Sequence, residues 1–193
     1  MTLARGIMVW AGLVTLALTP AVAQAQVQSV TTGRSVTTLK QVPLTSRSGK
    51  RITLGSRIKP GKPTVIAIWA SWCLPCYAEA PYLNQLRRDL GGRYNFLYVN
   101  RSLGNPDPEQ PAADIAQFLV RTEMTDVDYL FADVGAYREI LGADVGTIPG
   151  GRVGIPRIYL FNRQGRQIYS SLGFTEEKSM LLDRLLRQEV APK

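Results

Sequence analysis

The feature that most constrains this chain is a cysteine pair at the junction between a predicted buried strand and a predicted helix. Residues 64–70 form a continuous apolar and β-branched run, which is typical of a strand buried on both faces. Cys73 and Cys76 follow directly, and they are the only cysteines in the chain. The helical repeat after them places four apolar residues on one face: Ala80, Leu83, Leu86 and Leu90. Because a ring between cysteines three residues apart restricts the unfolded chain very little, a redox role is favoured over a structural one.

Composition excludes several classes of function. The chain has 193 residues and no histidine, so it cannot hold a Ser-His-Asp triad, a Cys-His pair or a His-ligated metal. Two cysteines cannot complete a Cys₄ zinc or iron–sulfur site within one chain. The formal net charge is +8, and no Asp or Glu precedes Glu79. The basic first part of the chain fits a solvated edge, an acidic partner or an anionic membrane surface, and these alternatives stay open.

The first 25 residues are typical of a cleavable signal peptide. Arg5 supplies the positive start, Gly6–Leu18 forms an apolar run, and Ala23–Ala25 gives the small-x-small cleavage pattern. The run is shorter than the roughly 18–20 apolar residues that a membrane-spanning helix needs. We therefore predict export to the periplasm through residues 1–25, with an uncleaved membrane anchor as the alternative.

The remaining chain is predicted to be one folded domain after a flexible lead. Residues 26–38 are polar and form the predicted lead, and residues 39–193 form the predicted domain. Residues 39–54 predict a β-hairpin around Ser48 and Gly49. Further strands are predicted at Phe96–Asn100, Arg157–Asn162 and Arg166–Ser171, and further helices at Ile115–Leu119, at Val134–Leu141 and after Thr175. This alternation predicts an α/β architecture with a central sheet between helices.

The cysteine pair has the spacing that thiol–disulfide exchange requires. Unpaired N–H groups and the dipole at a helix N-terminus favour the thiolate form of Cys73, which would be the nucleophile. Cys76, three residues on, would resolve the mixed disulfide. Pro75 lacks an N–H and suits the first helical turn. Trp72 is predicted to cover the site, and its alternative is an aromatic at the edge of the core.

These segments resemble thioredoxins. Trp69–Cys76, with the sequence WASWCLPC, is similar to their active-site segment, and Pro81 matches the proline that kinks their first active-site helix. Gly154–Pro156 is similar to their cis-proline loop. The resemblance implies a thioredoxin fold, with a central mixed β-sheet flanked by helices and here an N-terminal β-hairpin extension. It also implies that Pro156 is cis and that the Ile155 backbone binds a substrate peptide.

Within that fold, the chain resembles exported proteins of the TlpA, ResA and DsbE type. Thioredoxins bury an Asp where this chain has Ala67. Glu79 resembles the acidic residue that the TlpA and ResA group keeps beside its active site, where it could exchange protons with Cys76. The alternative is a first-turn Glu that favours the helix dipole. Arg157 would contact substrate or favour the Cys73 thiolate, or else face solvent on its strand.

The resemblance implies a periplasmic thiol:disulfide oxidoreductase that reduces client disulfides, in cytochrome c or oxidase maturation. Electrons would come from a membrane thiol–disulfide donor, and the Cys73–Cys76 disulfide would be the sole redox group. We expect a monomer that needs no metal or other cofactor and binds no nucleic acid. Two alternatives remain: a disulfide oxidase or isomerase on the same scaffold, and a Cu(I) metallochaperone that uses the two thiolates as soft ligands.

Overall fold

The computed structural model describes residues 34–102, 107, 110–142, 147–148 and 152–190. The predicted signal peptide at residues 1–25, and the predicted lead up to residue 33, lie outside these ranges. Among the helices of the described ranges, none combines the length and the apolar character that crossing a membrane requires.

The described residues form a mixed β-sheet with helices on both faces. The strands are β1 Pro43–Ser46, β2 Arg51–Thr53, β3 Thr64–Trp69, β4 Asn95–Arg101, β5 Tyr129–Ala132, β6 Thr147–Ile148, β7 Arg152–Val153, β8 Arg157–Phe161 and β9 Gln167–Leu172. The helices are α1 Leu74–Leu90, α2 Ala112–Arg121, α3 Val134–Leu141 and α4 Glu176–Val190. Seven strands form the main sheet in the order β2-β1-β5-β4-β3-β8-β9, and β6 pairs with β7 separately.

Strand β3 lies inside the sheet and is buried along its whole length. It pairs in parallel with β4, where Thr64 is opposite Asn95, and antiparallel with β8, where Thr64 is opposite Phe161. Because both of its edges are paired and both faces are covered, every side chain of β3 can be apolar or small. The predicted buried strand is confirmed.

Alternate residues of β3 belong to two separate cores. Val65, Ala67 and Trp69 lie in a first core together with apolar residues of α1, α2 and α4. Ile66 and Ile68 lie in a second core with residues of α3 and of the segment before β1. Since side chains of a strand point alternately to opposite faces, the two cores lie on opposite sides of the sheet. The first core also contains both cysteines.

The predicted N-terminal hairpin is confirmed and extends the sheet. Strands β1 and β2 pair antiparallel, and Gly49 in their turn has a φ of 80°. Glycine suits this turn because side chains disfavour positive φ. On its other edge β1 pairs with β5, with Thr45 opposite Phe131. Strand β5 was not among the predicted strands.

The predicted flexible lead is wrong for its last five residues. Val36–Leu39 forms a 3₁₀ helix, and Val36 is buried in the second core. The Val36 N–H donates to the carbonyl of Gly165 at 2.7 Å, and Gln167 N–H donates to the carbonyl of Arg34 at 2.8 Å. Residues 34–38 are thus held by contacts with the turn between β8 and β9, which lies far away in the sequence.

The close approach of Gly55 to the backbone of Lys40 can be tested by substitution. Gly55 lies in the 3₁₀ helix after β2, and a Cβ there would meet the carbonyl oxygen of Lys40 at 2.8 Å. We expect Gly55→Ala to lower the free energy of unfolding by about 1–3 kcal/mol, measured by urea denaturation. Gly92→Ala is the matched control, because the nearest atom to its Cβ, the Lys62 Nζ, is 4.0 Å away. Equal losses in both variants would contradict the close approach.

Candidate active site

The cysteine pair forms a disulfide at the N-terminus of α1. Cys73 is the residue that caps α1, and Cys76 lies in its first turn. The two are joined as a disulfide with their Cα atoms 5.2 Å apart. The Cys76 N–H donates to the Cys73 carbonyl at 2.9 Å. The first sulfur therefore sits where the unpaired N–H groups of the helix favour negative charge, as the spacing predicts.

Apolar side chains surround the disulfide at the surface. Both cysteines are buried, whereas Trp72 is 45% exposed and Leu74 is 81% exposed. Pro75 is also exposed and lies in the first turn of α1. The Arg101 guanidinium lies 5.4 Å from the centroid of the Trp72 ring. The disulfide thus lies behind an exposed apolar rim, the kind of surface that a peptide segment of another protein can contact.

The proline loop lies at the same end of the sheet. The Ile155–Pro156 peptide bond is cis, as the resemblance implies. Strand β8 follows this loop and pairs with β3, with Arg157 opposite Ile68, so the loop lies beside the carboxyl end of β3. Pro156 is buried, and Ile155 is half-buried and packs against the core that contains the cysteines. The strand register thereby brings the predicted substrate loop to the end of the sheet where α1 begins.

Glu79 is buried beside Cys76. Only 5% of Glu79 is exposed, and it lines a cavity of about 10 Å³ together with Cys76, Ala67 and Tyr98. Removal from water raises the pKa of Glu79 from 4.5 to about 8, and the charge of Lys178 opposes this rise only in part. Ala67, the position at which thioredoxins have Asp, borders the same cavity. The buried carboxyl is therefore supplied by α1 instead of β3.

The alternative interpretation of Glu79 is wrong. The first turn of α1 holds no acidic residue, since Glu79 lies in the second turn. Its side chain is also turned into the protein and does not face the solvent around the helix start. A carboxyl placed in this way neither interacts favourably with the helix dipole nor forms an ion pair at the surface. These two effects therefore do not explain why Glu79 is buried.

Arg157 is buried on the opposite face of the sheet from the cysteines. The residue is 6% exposed, so the solvent-facing alternative is wrong. Its Nη1 donates to the Tyr159 hydroxyl at 3.5 Å, and its Nε has no hydrogen-bond partner among the residues that the structure describes. Because Tyr159 belongs to the second core, Arg157 points away from Cys73. The structure gives no support for a direct contact between Arg157 and the Cys73 sulfur.

Gln110 is a site residue that the sequence does not reveal. Its Oε1 accepts from the Ser71 N–H at 2.8 Å and from the Asn100 Nδ2 at 2.9 Å. Its Nε2 donates to the Arg101 carbonyl and to the Asp107 Oδ2. One buried amide thus joins the loop before Cys73 to the end of β4. Gln110 also lines a cavity of about 380 Å³ between β1 and α2.

No metal centre is found in the described ranges. They contain no group of three or more His, Cys, Asp or Glu side chains that could hold an ion. The residues that the structure brings together are Trp72, Cys73, Pro75, Cys76, Glu79, Ile155 and Pro156.

The fold and this site define a thioredoxin-fold protein with a CxxC disulfide at the start of a helix. The redoxin family profile matches residues 24–185, and the chain belongs to the redoxin family. It is similar to the thiol:disulfide interchange protein CycY of Rhizobium leguminosarum bv. viciae, with 29% identity over 116 residues, 58% of this chain and 51% of that protein. It is also similar to the thiol:disulfide interchange protein DsbE of Yersinia pestis, with 30% identity over 145 residues, 70% of this chain and 58% of that protein.

The solved structures agree on the fold. A secreted disulfide oxidoreductase of Mycobacterium tuberculosis, homologous to Escherichia coli DsbE, superposes with a TM-score of 0.54 and 18% identity, over 77% of this chain and 96% of that one. The resemblance drawn from the sequence and the predicted thioredoxin fold are confirmed. The chain spans about half the length of the two curated relatives, 51% and 58%.

Burial of Glu79 predicts a specific pH dependence of stability. An unfolded Glu79 ionises above pH 4.5, whereas the folded protein keeps its proton up to about pH 8. Between these values the folded state binds more protons, so stability falls as pH rises, by up to about 1.4 kcal/mol per pH unit. We expect Glu79→Gln to remove this fall when urea unfolding is measured with the disulfide intact. The exposed Glu177→Gln is the control, and parallel stability curves for Glu79→Gln and the parent would contradict the assignment.

The Gln110 contacts predict a second effect on stability. Gln110→Ala leaves the buried Ser71 N–H and the buried Asn100 amide without their acceptor. Each buried unsatisfied group costs about 1–3 kcal/mol, so we expect a loss of roughly 2–4 kcal/mol in urea unfolding. Gln188→Ala, on the exposed face of α4, should change the free energy of unfolding by less than about 0.5 kcal/mol. Similar losses for the two variants would show that the network is unimportant.

Proposed function

We propose that this protein is a thiol:disulfide oxidoreductase that reduces selected client disulfides through Cys73 and Cys76. The observation that carries the proposal is the position of the pair: Cys73 caps α1, and Cys76 shares a cavity with the buried Glu79. The names of its relatives, thiol:disulfide interchange proteins, support the same chemistry.

The first step is attack by Cys73 on the client. In the reduced protein, the N-terminus of α1 favours the Cys73 thiolate. The thiolate forms a bond to one sulfur of the client disulfide while the client S–S bond breaks, and the other client sulfur leaves as a thiolate. The product is a mixed disulfide between Cys73 and the client.

The second step is resolution by Cys76. Its thiol must lose a proton before its sulfur attacks that of Cys73, which forms the Cys73–Cys76 disulfide and releases the second client thiolate. The ionised form of Glu79 would accept this proton. A carboxyl with a pKa of about 8 is close to the ordinary thiol pKa of about 8.5, so the transfer costs little free energy.

The exposed rim and the proline loop would hold the client peptide. Trp72 and Pro75 offer apolar contact beside the disulfide, and the Ile155 backbone next to Pro156 would hydrogen-bond to an extended segment. Arg157 would help to hold this loop in position, because it follows Pro156 directly and its guanidinium donates a hydrogen bond to the Tyr159 hydroxyl. Arg157 itself, buried on the other face of the sheet, would not bind the client.

The reaction would take place after export and would need an electron donor and clients. Residues 1–25 would direct the chain to the periplasm, where a membrane thiol–disulfide donor would return the Cys73–Cys76 disulfide to the dithiol. The clients would be proteins whose cysteines must be reduced during cytochrome c or oxidase maturation. The protein would act as a monomer, with the cysteine pair as its only redox group. A relative named DsbE and a secreted structural neighbour support this assignment.

Trapping tests the proposal directly. In Cys76→Ser the resolving sulfur is absent, so Cys73 should accumulate in mixed disulfides with clients, detected on non-reducing gels and identified by mass spectrometry. Cys73→Ser is the matched control and should trap at least about tenfold less, because Cys76 lies within the first turn of α1 and not at the capping position, where the helix N-terminus favours a thiolate. Equal trapping by both variants, or none by either, would contradict the assigned order of attack.

A further inference from the structure

A group of cations lies at the end of the sheet opposite the disulfide. We call this surface the basic end and define it by six residues: Arg34, Lys59, Lys62, Arg93, Arg163 and Arg166. Lys59 and Lys62 precede β3, and Arg93 precedes β4. Cys73 follows the carboxyl end of β3, so these cations are separated from it by the length of that strand.

Strand pairing brings the six cations together. Thr64 is opposite both Asn95 and Phe161, so the starts of β3 and β4 meet the turn between β8 and β9. The Asn95 Nδ2 donates to the Lys59 carbonyl at 3.1 Å, and the Lys62 Nζ donates to the Gly92 carbonyl. A bridge between Ser35 and Arg166 brings the first described residues to the same place.

The carboxylates before β5, at this end of the sheet, are paired with cations outside the six: Asp128 with Arg57, Asp126 with Arg87 and Glu123 with Arg88. Three other carboxylates lie on described segments that contact the six cations: Asp89, Glu139 and Glu189. Asp89 is 3.9 Å from Arg187, which is not one of the six. Lys59, Arg93, Arg163 and Arg166 are exposed. Within the described ranges, Lys59, Lys62, Arg93 and Arg166 form no ion pair with a carboxylate.

The end of the sheet that carries the disulfide is close to electrical balance among the described residues. Five carboxylates lie there, at the starts of α2, α3 and α4 and in the segment before α2: Asp107, Asp114, Asp133, Glu176 and Glu177. Four cations accompany them: Arg51, Arg101, Arg157 and Lys178. The excess of positive charge among the described residues therefore lies at the basic end.

The chain reaches the folded part at the basic end. Arg34, the first described residue, donates to the carbonyls of Glu139 and Leu141 at 3.0 and 3.3 Å. The 33 residues before it contain the apolar run Gly6–Leu18, and the first 33 residues hold no Asp or Glu. The apolar run is therefore connected to the folded part on the side of the basic end, and not on the side of the disulfide.

We propose that the basic end rests on the anionic phospholipid headgroups of a bilayer and turns the disulfide away from it. A Lys or Arg near such a surface gains roughly 1 kcal/mol, so several together give a substantial preference for anionic lipid. An apolar segment and a basic patch are also the two signals that together hold a protein on a membrane. The disulfide end carries no comparable excess of positive charge, so the basic end is the side that would face the bilayer.

The test compares vesicles that differ only in charge. The full chain is mixed with vesicles of phosphatidylglycerol and phosphatidylcholine, or of phosphatidylcholine alone, and the ratio of the two partition coefficients is measured by co-sedimentation. Binding through the apolar run contributes to both values and cancels in the ratio. In the triple variant Lys59→Gln, Arg93→Gln and Arg166→Gln, we expect this ratio to fall about 100-fold.

A matched control removes the same charge elsewhere. Arg51→Gln, Arg121→Gln and Arg184→Gln change three exposed cations outside the basic end and should reduce the ratio by less than about fivefold. Equal ratios for the two triple variants would overturn the proposal and favour an acidic protein partner for the basic end. An unaltered chain that shows no preference for phosphatidylglycerol would overturn it as well.

Two measurements on the unaltered chain need no substitution. About 0.5 M salt shortens the Debye length to a few ångströms and should therefore abolish the preference for anionic vesicles. The rate at which a membrane-impermeant phosphine reduces the Cys73–Cys76 disulfide should be the same on vesicles as in solution. A preference that survives salt, or a disulfide that is protected on vesicles, would overturn the proposal. Neither result depends on whether the protein reduces client disulfides.

Discussion

The pairing of β3 with its two neighbours is the constraint on which the rest of the structure depends. The parallel partner β4 is followed in the chain by Gln110, whose side chain accepts a hydrogen bond from the Ser71 N–H. The antiparallel partner β8 follows the proline loop. Because β3 ends at Trp69, α1 must begin beside Gln110 and the proline loop. A shift of β8 by one residue would exchange Arg157 with Ile158 and place a buried cation in the core of the cysteines. The strand register therefore determines which side chains of β8 lie beside the cysteines, as well as how the strands pair.

The buried carboxyl shows how one requirement can be met from different elements. A resolving thiol in an apolar site needs a group that accepts its proton, and thioredoxins place an Asp on the strand for this purpose. Here the strand has Ala67, and Glu79 reaches the same cavity from α1. Burial raises the pKa of Glu79 to about 8, close to that of a thiol, at some cost to the stability of the folded state near neutral pH. In a chain with no histidine, Glu79 is the residue that we propose carries out this transfer.

Much of the fold and of the cysteine site could be predicted from the sequence, because the sequence patterns that indicate them are local. The apolar run of β3, the CxxC at a helix start and the proline before β8 each depend on a few adjacent residues. The misses depend on distant contacts instead. Val36 is one of three valines in the polar segment 26–38, and its partner Gly165 lies in the turn between β8 and β9. Gln110 has no local pattern, since its role arises only when Ser71 and Asn100 meet. Arg157 occupies a strand position that could face either side of the sheet, and arginine side chains are usually exposed to solvent. The sequence therefore provides no reason to expect a buried Arg157.

In the proposed reaction, Cys73 and Cys76 give electrons to client disulfides. The equilibrium reduction potential of the Cys73–Cys76 disulfide, measured against defined thiol–disulfide buffers at pH 7, tests this direction of electron flow. We expect a reducing couple with a potential between about −200 and −270 mV, the range of glutaredoxins and thioredoxin. A potential of about −120 mV, that of the strong oxidant DsbA, would contradict the proposed direction, because such a couple takes electrons from its clients.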